Sequence, residues 1–187
     1  MKKVDVFISG AGIAGMVAAI AFERLGLSVC CADPTTPVSS STEKGVDLRT
    51  TAFLQPSQRF LDELGLWELV KDHATPLDIM RIADAGSSDG TNQIKVVKDF
   101  DASEISDLPF GWNIPNWLSR RALQQALDAS DRIEFLANVA TKQIFTRDTE
   151  ARVLLSSGEI LSTRLVIGAD GRNSLVRQNA GISVRTT

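Results

Sequence analysis

Three glycines near the amino terminus have the spacing of a loop that binds phosphate groups. Gly10, Gly12 and Gly15 form a G-x-G-x-x-G pattern directly after the short apolar run VDVFI, residues 4–8, which is typical of a buried parallel strand. The first glycine permits a tight turn, the second lets the backbone approach a pyrophosphate, and the third lets a helix pack closely on the strand. The pattern therefore predicts a dinucleotide-binding loop.

The residues that follow supply the other parts of such a site. A helix is predicted over residues 13–25, and the N–H groups at its start, beginning with Ile13 and Ala14, would hold the phosphates. Residues 28–32 (SVCCA) are predicted as a second strand with Asp33 at its tip. A carboxylate at this place is suited to accept hydrogen bonds from an adenosine ribose.

A secretory signal peptide is the alternative interpretation of this stretch. Residues 1–3 are basic, an apolar run follows, and residues 19–21 read A-x-A. The acidic Asp5 inside the run and the three correctly spaced glycines favour the nucleotide-binding interpretation.

Composition indicates a globular protein, and its net negative charge does not favour polyanionic partners. The 187 residues are 43% hydrophobic and 23% charged, with a net charge of −3 and a pI near 5.2. These values argue against nucleic acid or an anionic membrane as a partner. The longest apolar run, residues 13–22, is too short to cross a bilayer.

The few potentially reactive side chains argue against direct side-chain catalysis. Cys30 and Cys31 are strand neighbours that face opposite ways, so we expect buried core thiols and a reducing cytoplasm. The single histidine, His73, offers neither a metal cluster nor a nucleophile–base pair. No catalytic side chain and no metal ligand is predicted, and a bound cofactor is expected to supply the chemistry.

The middle of the chain is predicted to leave the nucleotide-binding domain. Two short helices, residues 56–64 and 66–72, are broken at Gly65, and residues 78–83 and 93–98 form a hairpin with its turn at 87–92. Residues 99–111 are predicted as a loop. The helices are expected to pack through an apolar stripe formed by Leu54, Phe60, Leu61, Leu64 and Trp67.

The last third is predicted to return to the first domain. A helix capped by Ser119 buries Leu123 and Leu127, and residues 133–135 form a third parallel strand. A β-meander is predicted over residues 140–147, 151–156 and 159–161, with a turn at Ser157 and Gly158. A further buried strand, residues 165–168, then leads into GADGRNSLVR and a helix whose amino end would face the cofactor.

Three arginines are candidates for binding an anion. Arg49, in DLRTTAF, presents a fork of donors suited to a phosphate, although a solvated surface arginine explains it equally well. Arg120 and Arg121 lie in the first turn of a predicted helix, where cations are unfavourable, and this indicates an anion nearby unless they point into solvent.

Taken together, GAGIAG, DLRTTAF, R-x-x-L at residues 120–123 and LVIGADGRNSLVR resemble the class A flavoprotein aromatic hydroxylases, the p-hydroxybenzoate hydroxylase group. The family's Asp-Gly motif has the form D-G-x-x-S-x-x-R, matched here by Asp170, Gly171, Ser174 and Arg177. DLRTTAF and FGWNIPN are most similar to the branch that hydroxylates ubiquinone precursors.

The resemblance implies an α/β fold: a Rossmann-like FAD-binding domain of the glutathione-reductase type, with a β-meander and part of an inserted β-rich substrate domain. Residues 1–75 and 116–187 would form the FAD-binding domain and residues 76–115 the start of the substrate domain. It also implies that Asp33 binds the adenosine ribose, that Arg49 and Arg120 lie near the pyrophosphate and ribityl chain, and that Val139 contacts the adenine through its backbone. Asp170 would help hold the pyrophosphate end. Some sequences of the ubiquinone branch place their arginine at the position of Arg121.

The implied reaction is hydroxylation of a small phenolic substrate, a ubiquinone precursor, with FAD, NAD(P)H and O₂. A lipophilic substrate of this kind is compatible with peripheral membrane association of a cytoplasmic enzyme. Family members are longer and carry a downstream G-D-A-x-H segment, so this chain is expected to be an inactive amino-terminal portion of such an enzyme. An oxidoreductase of another type that uses NAD(P) or FAD, and a non-catalytic nucleotide-binding fragment, remain alternatives.

Overall fold

The computed structural model describes residues 1–38, 40–84 and 96–185, and these fold into two units. Met1–Leu48 and Asn116–Thr187 form the first unit, and Arg49–Pro115 forms the second. The division into an FAD-binding domain, residues 1–75 and 116–187, and the start of a substrate domain, residues 76–115, stays a prediction.

The secondary structure of the described part begins with a strand, a helix and a strand. The helices, in chain order, are α1 (Ile13–Arg24), α2 (Gln55–Glu63), α3 (Asn116–Asp128) and α4 (Leu175–Asn179). The strands are β1 (Lys2–Ser9), β2 (Val29–Asp33), β3 (Thr50–Leu54), β4 (Thr75–Pro76), β5 (Ile79–Asp84), β6 (Val96–Asp101), β7 (Gly111–Pro115), β8 (Ile133–Ala137), β9 (Thr141–Thr146), β10 (Ala151–Leu155) and β11 (Ile160–Gly168).

The first unit contains a mixed sheet in the order β8-β2-β1-β11-β10-β9. The pairs β8–β2, β2–β1 and β1–β11 are parallel, and the meander β11-β10-β9 is antiparallel. In the second half of β1 the residues on both faces are buried, which explains why this strand is a continuous apolar run. The predicted α/β fold with a parallel sheet and a β-meander is confirmed.

The strand β11 differs from its prediction. Two separate strands, residues 159–161 and 165–168, were expected, but β11 is continuous. The intervening Ser162 and Thr163 are buried and satisfied: Ser162 Oγ donates to Glu150 Oε2 at 2.6 Å, and Thr163 Oγ1 donates to the Asp5 carbonyl at 3.1 Å. Paired hydroxyls can be buried inside a strand, so the predicted break was wrong.

The start of α3 also lies elsewhere than predicted. The helix begins at Asn116, whose Nδ2 donates to Asp47 Oδ2 at 2.8 Å. Ser119 is a buried residue inside the helix, so its prediction as the N-cap was wrong. Leu123 and Leu127 lie on the buried face, as predicted.

The second unit holds a small antiparallel sheet in the order β3-β7-β4 and a separate hairpin of β5 and β6. Neither β3 nor β7 was predicted from the sequence. The hairpin itself is confirmed, but β6 extends to Asp101 and so includes the first residues of the predicted loop. The turn predicted at residues 87–92, together with residues 93–95, lies outside the described residues.

The helix predicted over residues 66–72 is wrong, because this segment forms two 3₁₀ turns, Trp67–Leu69 and Lys71–His73. Trp67 packs edge-on against Trp112, with ring centroids 5.4 Å apart. Within the predicted apolar stripe Leu61 and Leu64 are buried, but Leu54 and Phe60 are 54% and 46% exposed. Only part of the predicted stripe is therefore buried.

Cys30 and Cys31 are adjacent residues of β2, and both are free, buried thiols. Burial raises the pKa of Cys30 to about 12, with a further contribution from Glu134, and burial likewise raises the pKa of Cys31 to about 12. No helix in the described ranges is long and apolar enough to span a membrane.

These thiols are expected to be inert in the folded chain. With a pKa of about 12, only about one thiol in 10⁴ is ionised at pH 8, and both are shielded from reagents. Maleimide at pH 8 should label neither cysteine in buffer and both in denaturant, as measured by intact mass. Labelling of the folded chain within minutes would show that β2 is accessible.

Candidate dinucleotide-binding site

Gly10 lies where the glycine loop touches the segment that follows β11. Its φ is +102°, and a Cβ added there would lie 2.3 Å from the Ala169 carbonyl oxygen and 2.9 Å from the Asp170 Cα. Both atoms belong to backbone that cannot move aside. Glycine is therefore required at this position both by the turn and by the close approach of the two segments.

Gly15 and Gly12 have different structural requirements. A Cβ on Gly15 would lie 1.9 Å from the Gly10 carbonyl oxygen, so glycine allows α1 to pack onto the loop. A Cβ on Gly12 would meet nothing within 4 Å, and its φ of −66° and ψ of 175° suit any residue. Folding does not need glycine at position 12, so this side of the loop is open to a ligand.

The amino end of α1 is electrostatically prepared for an anion. Its N-cap, Gly12, makes no side-chain capping hydrogen bond, and its first turn, which includes Ile13 and Ala14, holds no acidic residue. The first N–H groups of a helix have no partner within the helix and carry a partial positive charge. This arrangement suits the pyrophosphate of a dinucleotide.

Asp33 ends β2 and ties the glycine loop to the sheet. Its Oδ2 accepts from the Ala11 N–H at 2.7 Å, and its Oδ1 accepts from the N–H and hydroxyl of Thr35 at 2.8 and 2.7 Å. An ionised carboxylate has about four acceptor sites, so capacity remains for a ribose hydroxyl. The structure thus gives Asp33 a role in shaping the loop that the sequence did not reveal.

Val139 lies beside Asp33 at the same edge of the sheet. Its N–H donates to the Asp33 carbonyl at 2.9 Å, and the preceding Asn138 has a positive φ of 60° that turns the chain out of β8. Asn138 Nδ2 donates to Thr36 Oγ1 at 3.0 Å, which joins this turn to the loop after β2. The adenine contact proposed for Val139 stays a prediction.

The Asp-Gly motif forms the cap of α4. Asp170 Oδ2 accepts from the N–H groups of Leu175 and Val176 at 2.8 and 3.2 Å, while its buried Oδ1 has no hydrogen-bond partner among the described residues. Because this carboxylate occupies the first N–H groups of α4, the helix does not present them to a cofactor. A role for Asp170 at the pyrophosphate stays a prediction.

The other motif residues also stabilise this turn. Ser174 Oγ accepts from the Arg177 N–H at 3.0 Å, and Arg177 Nη1 donates to the Arg172 carbonyl at 2.7 Å. Gly171 has a positive φ of 80°. The spacing D-G-x-x-S-x-x-R is therefore explained by one compact capped turn.

The structure distinguishes between the neighbouring arginines of α3. Arg121 lies over the Trp117 ring, 5.2 Å from its centroid. Arg120 is half-buried and makes no hydrogen bond or ion pair through its side chain within the described part of the chain. Arg120 is thus the better candidate for a cofactor phosphate. Arg49 is exposed in the second unit, so its place at the site stays a prediction.

Two hydroxyl residues that the sequence did not single out lie within this site. Ser9 Oγ and Thr141 Oγ1 are 2.7 Å apart, both buried. The position of Ser9 directly before Gly10 is a signal that sequence reasoning could have used, whereas nothing in the pattern marks Thr141.

The site therefore joins four segments that follow the carboxyl ends of parallel strands β1, β2, β8 and β11. This is the edge at which open α/β sheets bind ligands, and its glycine loop and uncapped helix define a dinucleotide-binding domain. FAD fits these features, because its pyrophosphate suits the open Gly12 side and an orphaned acceptor, Asp170 Oδ1, is available to a hydroxyl or N–H donor.

The chain belongs to the FAD binding domain family, which it matches over residues 3–187. It is 34% identical to Ubiquinone hydroxylase UbiL of Rhodospirillum rubrum over 186 residues, which are 99% of this chain and 41% of that protein. It is 28% identical to 3-demethoxyubiquinol 3-hydroxylase of Escherichia coli, over 98% of this chain and 45% of that protein. The chain thus spans less than half the length of these relatives.

Solved structures share the fold. The p-nitrophenol 4-monooxygenase PnpA of Pseudomonas putida superimposes with a TM-score of 0.78 at 18% identity, over 97% of this chain and 44% of that one. The flavin-dependent monooxygenase PieE, solved with FAD and substrate, gives a TM-score of 0.76 at 19% identity, over 99% of this chain and 33% of that one. The predicted resemblance to flavoprotein hydroxylases is confirmed.

Gly12→Val should abolish dinucleotide binding and leave the fold intact. A side chain here meets no protein atom but fills the ligand side of the loop, and the loss of the N-cap glycine costs only about 1 kcal/mol. Cofactor affinity and thermal unfolding are measured together. Gly15→Ala is the opposite control, because its Cβ collides with backbone and should lower the melting temperature first. Normal affinity in folded Gly12→Val would remove this position from the site.

Proposed function

We propose that this chain is the FAD-binding part of a monooxygenase that hydroxylates a phenolic precursor of ubiquinone with NAD(P)H and O₂. The observation that carries the proposal is the likeness to a ubiquinone hydroxylase over 99% of the chain. The open, uncapped end of α1 supports it physically. The chain spans only 41% of that relative, so the proposed activity is that of the whole protein that carries this chain.

Each part of FAD has a proposed partner in this chain. The loop of Gly10, Gly12 and Gly15 and the N–H groups of Ile13 and Ala14 hold the pyrophosphate. The proposed partners of the remaining parts are Asp33 for the adenosine ribose, Val139 for the adenine, and Arg49, Arg120 and Asp170 for the pyrophosphate end and ribityl chain. When bound, FAD supplies the redox chemistry, with electrons from NAD(P)H and oxygen from O₂.

The protein's own contribution is binding, orientation and exclusion of water. No side chain of this chain is proposed as a general acid or base. An acidic protein of pI near 5.2 is not proposed to bind nucleic acid. A ubiquinone precursor is lipophilic, so peripheral contact of a cytoplasmic enzyme with a membrane that holds its substrate is part of the proposal.

Purified chain should bind FAD, and Asp33→Ala should weaken that binding. The substitution removes the proposed ribose acceptor and the tie to the Ala11 N–H, for a loss of about 1–3 kcal/mol. Flavin fluorescence and the melting temperature are followed in parallel.

Asp5→Ala is the matched control for this experiment. Asp5 also accepts a backbone N–H and a hydroxyl, both from Ser28, but on β1 away from the loop. It should lower stability and leave FAD affinity unchanged. If the wild-type chain neither quenches flavin fluorescence nor gains stability with FAD, the proposal fails.

The reaction itself is tested with the whole protein that carries this chain. With FAD, NADH or NADPH, ¹⁸O₂ and phenols with and without a prenyl tail, mass spectrometry should show one ¹⁸O atom per hydroxylated product. The Gly12→Val enzyme should give none. A flavin-loaded enzyme that oxidises NAD(P)H but hydroxylates no phenol in the panel would contradict the proposed activity.

A further inference from the structure

A buried pair of hydroxyls lies at the end of β1. Ser9 and Thr141 are 4% and 8% exposed, and their oxygens are 2.7 Å apart. Ser9 is the last residue of β1 and directly precedes Gly10, while Thr141 begins β9 in the meander. The pair therefore connects the glycine loop with the meander.

The hydroxyls point toward the Asp-Gly motif. Ser9 Oγ lies 3.5 Å from Asp170 Oδ2, a long contact in which the carboxylate must be the acceptor. If the Ser9 hydrogen points to Asp170, then the Thr141 hydroxyl donates to Ser9. The order of donation is then Thr141 to Ser9 to Asp170.

The orientation of Asp170 affects the site in two ways. The Asp170 Cα would be only 2.9 Å from a Cβ on Gly10, so this residue forms part of the surface on which the loop rests. Its Oδ2 is engaged with α4, whereas the buried Oδ1 is without a partner among the described residues. A buried carboxylate oxygen without a hydrogen bond costs free energy. Neighbouring groups must therefore hold the Asp170 carboxylate in this orientation.

We propose that Ser9 and Thr141 are positioning residues of the cofactor site. Their hydroxyls hold Asp170 so that Oδ1 is presented to a hydroxyl or N–H of the bound dinucleotide and the backbone beneath Gly10 stays in place. The inference rests on the proposed function, because it takes FAD as the ligand. It adds Ser9 and Thr141 to the determinants of cofactor affinity, although neither is expected to contact the cofactor.

The first test separates the hydroxyl of Thr141 from its packing. Thr141→Val keeps the shape and removes the hydroxyl, and Thr141→Ser keeps the hydroxyl and removes a methyl group. We expect Thr141→Val to weaken FAD binding about three- to tenfold, the effect of one hydrogen bond, and Thr141→Ser to bind as the wild type does. FAD affinity is measured by flavin fluorescence and folding by the melting temperature. Thr146→Val, at the exposed end of the same strand, is the control and should change neither.

The second test asks whether the hydroxyls act through Asp170. In an Asp170→Ala background there is no carboxylate to position, so adding Thr141→Val should weaken FAD binding no further. The same added loss as in the wild-type background would overturn the proposal. Should Asp170→Ala fail to fold, the comparison of valine with serine at position 141 is decisive alone.

The remaining outcomes distinguish failure of the positioning role from failure of the proposed function. If the wild-type chain binds FAD and Thr141→Val binds equally well, the positioning role is overturned and the proposed function stands. If the valine and serine variants lose affinity equally and in proportion to their melting temperatures, Thr141 is a packing residue only, which also overturns the proposal. If the wild-type chain does not bind FAD, the proposed function fails and the positioning role fails with it.

Discussion

The contact between the glycine loop and the backbone after β11 is the constraint on which the site depends. Parallel pairing of β1 with β11 brings Ser9 beside Gly168, so the next residues of both strands must pass each other at the sheet edge. Gly10 allows this passage, since any Cβ would lie 2.3 Å from the Ala169 oxygen. Gly15 then lets α1 rest on Gly10. The helix that would hold the phosphates thus packs on the Gly10 backbone, which itself packs on the backbone at Ala169.

The same packing lessens an electrostatic conflict, because N–H donors face the charges of two carboxylates. Two carboxylates, Asp33 and Asp170, lie near a site suited to a pyrophosphate, and free negative charge there would repel it. Each carboxylate instead accepts backbone N–H groups, from Ala11 and Thr35 in one case and from Leu175 and Val176 in the other. The donors of α1 remain available, because its first turn has neither an acidic residue nor a side-chain cap. The acids organise the loops, and the start of α1 is left without a side-chain cap.

The sequence predicted the elements that local patterns determine and missed those that distant partners determine. The strands β1, β2 and β8 and the helix α1 carry apolar patterns of their own and were predicted within a residue or two of their bounds. The strands β3 and β7 are short and contain polar residues. They are stabilised by pairing with each other, although they lie at opposite ends of the second unit's sequence. The start of α3 depends on Asp47, far back in the chain, and β11 is continuous because Glu150 and Asp5 satisfy its buried hydroxyls. No local pattern contains those partners.

In the site, too, the motif residues were predicted and the residues that hold them in place were not. The glycines and Asp33 were predicted from their spacing and Asp170 from the family resemblance, whereas Thr141 carries neither signal. Replacing both members of a buried hydrogen-bonded pair by apolar residues of similar shape is close to neutral for folding. Folding alone therefore does not require hydroxyls at Ser9 and Thr141. Through Ser9 they contact Asp170, the residue on which the glycine loop rests, and this contact is the basis of the positioning role proposed for them.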